Sequence, residues 1–211
     1  MKKKQRMKNI LLMNALLISA NVLWSPTVHA ESEFNKAVIF VRDKNFSSAV
    51  MIFKSLAEQH DHDAQYNLAL LLRKGLGHPS NYPLALQWAW LSQLSGVAKA
   101  AELSEVLLDI VPDETQEIVR ANVLKILQTR MEKSDRDAIL QKAQFHLSVV
   151  VEPDYVSAYA LRSLAAAIGL NGAVALRDEI EIELEPKDLM EAQSHAAKLF
   201  SEFDWTEPDD K

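Results

Sequence analysis

The chain has 211 residues, with 23 Lys and Arg against 29 Asp and Glu, a formal charge of −6, and no cysteine. The missing cysteine excludes disulfides, thiolate metal sites and the acylated cysteine of a bacterial lipoprotein. The acidic balance disfavours nucleic acid as a partner, because cationic side chains must displace counterions from phosphates.

The first segment, "MKKKQRMKNILLMNALLISANVLWSPTVHA", places Lys2, Lys3, Lys4, Arg6 and Lys8 ahead of an apolar stretch from Ile10 to Trp24. Pro26 breaks that stretch, and Val28-His29-Ala30 puts compact residues at the two positions a signal peptidase reads. This layout predicts a secretory signal peptide over residues 1–30, cut between Ala30 and Glu31; the alternative is an uncleaved membrane anchor. Cleavage would remove five positive charges and no negative ones, moving the formal charge from −6 to −11. The remainder suits one domain with a substantial core.

Downstream, every segment of useful length reads as amphipathic helix, with apolar residues recurring at three and four. Gly75, Gly77, Gly96, Gly169 and Gly172 fall between such segments, as do Pro79, Pro112, Pro153 and Pro186. Asp113 with Gln116 reads as a capping box opening a long helix, and Ser134 or Asp135 as the cap of the next. The pattern predicts about ten helices and no strand. "DEIEIELE", residues 178–185, alternates with period two as a strand would, but a lone strand has nothing to pair with. It is read as an acidic helix in which Ile180, Ile182 and Leu184 are partly buried.

Internal repeats follow. "NFSSAVMIFKSLAEQHDHDA" (45–64) lies over "NYPLALQWAWLSQLSGVAKA" (81–100), aligning Asn45 with Asn81, Phe46 with Tyr82, Ala49 with Ala85 and Ala64 with Ala100. A third copy (154–173) supplies Tyr155, Ala158, Gly169 and Ala173, and "AQYNLALLL" (64–72) lies over "AQFHLSVVV" (143–151). Small residues at fixed spacing let helices approach closely while aromatics fill the wider gaps, which describes stacked helical hairpins.

These residues carry a resemblance. Ala64, Leu68, Ala69, Leu72 and Gly75, followed by Asn81, Tyr82, Ala85, Trp88, Gly96 and Ala100, resemble a unit of the Sel-one-like repeat family, a relative of the tetratricopeptide repeat. Asp154, Tyr155, Ala158, Ala165, Ala166, Gly169 and Ala173 match it more closely. The resemblance covers residues 34–100 and 138–203 and is weak over 101–137. Departures are Ala69 for the usual glycine, Leu72 for tyrosine, and Ser92-Gln93 for Ala-Ala. It implies an all-α solenoid over residues 31–203, followed by an acidic flexible tail over 204–211. At the family's large core position, Trp88 should be buried. Trp90 points elsewhere and, with Leu86 and Leu94, forms a second apolar stripe that packs between units.

His60, Asp61, His62 and Asp63 raise the question of a metal, since imidazole and carboxylate are common ligands. The overlay puts His60 where Gly96 and Gly169 stand, at a turn that favours a left-handed backbone. Asp61 or Asp63 then caps the following helix, and no metal site is expected. Glu179 and Glu183, one turn apart, read as a solvated acidic face, and His146 and His195 as boundary residues. No phosphate loop, His-Glu-x-x-His or Gly-x-Ser-x-Gly motif is present, so neither catalysis nor a cofactor is expected.

One stripe stands apart from the packing positions. Tyr66, Leu70 and Arg73 share a face, and Phe145 and Val149 repeat the first two. They are expected either to line a concave groove for a partner's apolar side chains, with Arg73 holding a carboxylate at its edge, or to be covered by a neighbouring helix or the 101–137 segment. The resemblance implies a protein-binding adaptor or assembly factor of the bacterial envelope, exported to the periplasm or beyond, with no nucleic acid and no stable membrane insertion after cleavage. The alternatives are a hydrolase directed at cell-wall material or antibiotics, and a structural subunit of an envelope assembly.

Overall fold

A computed structural model describes residues 26–202 and Trp205, with side chains from Ser32 onward. The expected leader and its Ala30–Glu31 cleavage point therefore lie outside the described side chains. The backbone from Pro26 onward is the start of the first helix.

Ten helices follow in order: α1 (Pro26–Arg42), α2 (Phe46–Glu58), α3 (His62–Lys74), α4 (Tyr82–Leu94), α5 (Ala98–Leu108), α6 (Asp113–Glu132), α7 (Asp137–Ser148), α8 (Tyr155–Ala167), α9 (Ala173–Glu181) and α10 (Pro186–Glu202). No strand occurs among the described residues. Helices α1 to α5 each pack on the next, building stacked hairpins. The order then changes: α6 packs on α4 and on α7, and α8 packs on α7, α9 and α10. The class is an all-α solenoid whose central unit is irregular.

Repeated residues have local jobs. Asn45, Asn81 and Asp154, aligned in the repeats, each accept a backbone N–H in the first turn of the following helix, from Ser48, Leu84 and Ser157. Such caps contribute about 1 kcal/mol each by satisfying a donor that the helix cannot. The turns into α2, α3, α5, α7 and α9 contain a left-handed residue: Lys44, His60, Gly96, Ser134 and Gly169, with φ of 60°, 70°, 93°, 61° and 77°. His60 thus occupies the turn that the overlay assigned to it. Asp61 caps α3 by accepting from Ala64 N–H at 2.7 Å.

Alanines at the repeat's small positions, including Ala49, Ala57, Ala64, Ala69, Ala85, Ala89 and Ala100, are fully buried and let the helices close on one another. The main core runs from α1 to α6 and takes in Phe145 of α7 and Val149 just after it. A second core joins Met131 with residues of α7, α8 and α10, and a smaller one gathers Ala158, Tyr159, Ile180 and Ala192.

Several expectations need correction. Asp113 is the first helical residue of α6, Pro112 is the cap position, and no side chain caps it. Gln116 instead donates to the carbonyls of Leu108 and Val111, closing the turn before the helix. At α7 it is Asp135 whose carboxylate accepts from Asp137 N–H at 3.1 Å. Helix α9 stops at Glu181, so the alternating segment is half helix and half turn: Ile180 is buried while Ile182 is 83% exposed. Trp90, not Trp88, is the fully buried tryptophan, because α6 lies against it with Arg120 at 5.5 Å from the ring centroid. Trp88 is only partly buried. In the expected flexible tail, Trp205 is 9% exposed and belongs to the second core, since an indole this large gains more from burial than its ordering costs.

Candidate ligand cleft

An open cleft of about 560 Å³ lies where the end of α4 meets α7. One wall is α7, which presents Asp137, Gln141, Gln144 and Ser148 at helical spacing, with Leu140 beside them. The facing wall is the C-terminal end of α4 and its turn, with Gln93, Leu94, Ser95 and Gly96. Three single residues complete the lining: His62 at the start of α3, Arg162 from α8 and Leu176 from α9.

The arrangement is held by long-range polar contacts. Gln141 donates to Ser95 Oγ at 3.1 Å, tying α7 to the end of α4. Its carbonyl oxygen accepts from Arg130 Nη1, and Arg130 Nε pairs with Asp135 at 2.7 Å. Ser95 Oγ donates to Leu91 O, and Ser92 Oγ donates to the carbonyl of His62 at 2.7 Å, fixing α4 against α3. Gln141 and Ser95 are thus committed to the scaffold.

Arg162 is 6% exposed, and its Nη1 donates to Leu176 O with Glu179 3.8 Å away. Burial lowers the guanidinium's pKa from its ordinary value while Glu179 opposes that shift. Its charge is met within the protein. By contrast, the Gln144 amide makes no hydrogen bond among the described residues, and Gln93 Oε1 is buried with no partner. The Asp137 carboxylate, at the exposed start of α7, makes no ion pair there.

The stripe drawn from the sequence lies elsewhere, and the structure divides it. Phe145 and Val149 are 2% and 3% exposed and sit inside the main core, so they cannot line a groove. Helix α6, from the poorly matched segment, covers them: Arg120 Nε donates to Val149 O at 2.7 Å. Tyr66 and Leu70 are half-buried against the same core, and Arg73 is half-buried on the last turn of α3. The five residues do not form one surface.

Gln93 stood in the sequence as a departure from the small pair that the repeat prefers. A polar side chain at a position where the array wants alanine was the available signal. Gln141 and Gln144 carried none, since polar residues on one face of a helix look like any solvated face.

Among the described residues no group of three or more His, Asp or Glu side chains could hold a metal, and no helix is long and apolar enough to cross a membrane. Glu179 is exposed beside Arg162 rather than facing Glu183 across a site. His146 lies in a separate, mostly buried spot, with Nδ1 3.3 Å from Asp154 Oδ2.

No protein-family model matches the chain, and no curated protein matches it. Among solved structures it is similar to a protective antigen present in uropathogenic Escherichia coli strains, described as displaying an SLR fold. The identity is 20% and the TM-score 0.36, over 82% of this chain and 46% of the other, so the chain spans under half the length of that protein.

Proposed function

We propose that this chain is a helical-repeat adaptor that holds another protein in the bacterial envelope after export through its leader, and that it performs no catalysis of its own. The observation that carries this reading is the cleft at the junction of α4 and α7. It is open, mixes amide and leucine side chains, and draws its lining from five helices on a scaffold fixed by partly buried hydrogen bonds. Such a surface suits recognition of a polypeptide, which offers alternating polar backbone and apolar side chains. The resemblance to Sel-one-like repeats, read from Ala64 to Ala100 and from Asp154 to Ala173, agrees with an adaptor role. The basic and apolar residues from Lys2 to Trp24, ending in Val28-His29-Ala30, support export to the periplasm.

The test is affinity purification of the tagged protein from envelope extracts after cross-linking, read by mass spectrometry. A reproducible, stoichiometric partner is expected. Recovery of the chain with itself alone would overturn the adaptor reading and favour a structural subunit. Intact mass on the same fractions should give a species beginning at Glu31, and a full-length species retained in membranes after a salt wash would refute export with cleavage.

A further inference from the structure

We infer that the cleft between α4 and α7 takes an extended, lysine- or arginine-bearing segment of polypeptide, held through its backbone by the carboxamide of Gln144; this rests on the adaptor reading above. Unmet polar groups stand in the cleft lining. Gln93 lines the cleft, but its Oε1 is sealed from the open space and so makes no contact with a ligand there. The Gln144 amide, unengaged, offers one acceptor and two donors. A carboxamide presents C=O and N–H side by side, as does the edge of an extended peptide, so the two can pair reciprocally. Leu94, Leu140 and Leu176 supply apolar contacts for the alternating side chains.

Other ligand classes fit less well. No Phe, Tyr or Trp ring lines the cleft and the His62 imidazole stands alone, so a nucleobase finds no pair of rings to stack between. Arg162 is already met by Leu176 O and Glu179, so an anion finds no unmatched cation there. The unmatched charge in the lining is the Asp137 carboxylate, and that negative charge selects a basic side chain.

The probes are acetylated, amidated peptides of alternating valine and serine with one central lysine. A second peptide carries glutamate at that position, and a third has N-methyl groups on the residues flanking the lysine. Titration of the purified protein by fluorescence anisotropy should show the lysine peptide binding about tenfold tighter than either of the others. Gln144→Leu should weaken the lysine peptide about tenfold, and Asp137→Lys should reverse the preference toward glutamate. Both variants lie on the partly exposed face of α7, and circular dichroism is the check that they are folded. Equal binding of the three peptides, no binding of any, or unchanged affinity in Gln144→Leu overturns the inference. Envelope purification separates the two failures. A partner captured equally by the parent and by Gln144→Leu leaves the adaptor standing while removing the cleft, whereas no partner for either removes the adaptor itself.

Discussion

Replacing Phe145 by alanine tests the structure where it departs most from the pattern on the helix. The ring is 2% exposed, belongs to the main core, and stands edge-on to His146 at a centroid distance of 5.7 Å. It is the one residue of α7 among the buried members of that core, so its loss also loosens α7 from α4 and α6. Truncating a buried phenylalanine removes its transfer free energy and leaves a cavity, costing about 3–5 kcal/mol. For a chain of this length, each kcal/mol lowers Tm by about 2–4 °C, so Tm should fall by about 6–20 °C. Tyr66→Ala, at the aligned but half-buried position, should cost about half as much. Urea unfolding followed by circular dichroism measures both changes. If Phe145→Ala unfolds at the parent's urea midpoint, the ring is not in the core, and the placement of α6 over α7 is refuted.

Gly77 has φ of 75°, and a Cβ there would stand 2.4 Å from the carbonyl of Phe46, so Gly77→Ala should destabilise by about 2–5 kcal/mol in the same urea assay. At His60, glycine should change stability by no more than about 1 kcal/mol, whereas valine in the left-handed turn should cost about 1–2 kcal/mol; thermal melts of both variants check this. Burial holds the His146 imidazole below its ordinary value of 6.5, partly opposed by Asp154, and His60 is lowered in the same direction by burial and by Arg130. Below pH 6.5 the unfolded chain therefore binds protons that the folded chain refuses, so this contribution is intact above that pH and is lost as pH falls through the lowered folded values. Urea midpoints measured from about pH 7.5 to about pH 5 should fall, and less steeply in His146→Leu; identical profiles would refute the assignment.

Much of the fold follows from local chemistry written in the chain. The caps at Asn45, Asn81 and Asp154 and the left-handed turn at His60 are each decided within a few residues, and the 36-residue spacing from Asn45 to Asn81 exposes the hairpin unit. The second tryptophan and the stripe through Phe145 could not be resolved that way. Helical periodicity says which residues share a face but not what lies opposite, and a stripe facing a partner has the same spacing as one facing a neighbouring helix. What settled them was α6, a 20-residue helix in the segment that fits the repeat least. Its length carries it across α4 and α7, where Arg120 meets both Trp90 and the carbonyl of Val149. The cleft depends equally on a non-local contact, Gln141 to Ser95, which joins residues 46 apart. Local chemistry along the chain set the helices, most of their caps and the repeat. Which apolar face is core and which polar face remains open was settled by the packing of α6 across α4 and α7, because burial belongs to the pair of surfaces that meet and not to either one alone.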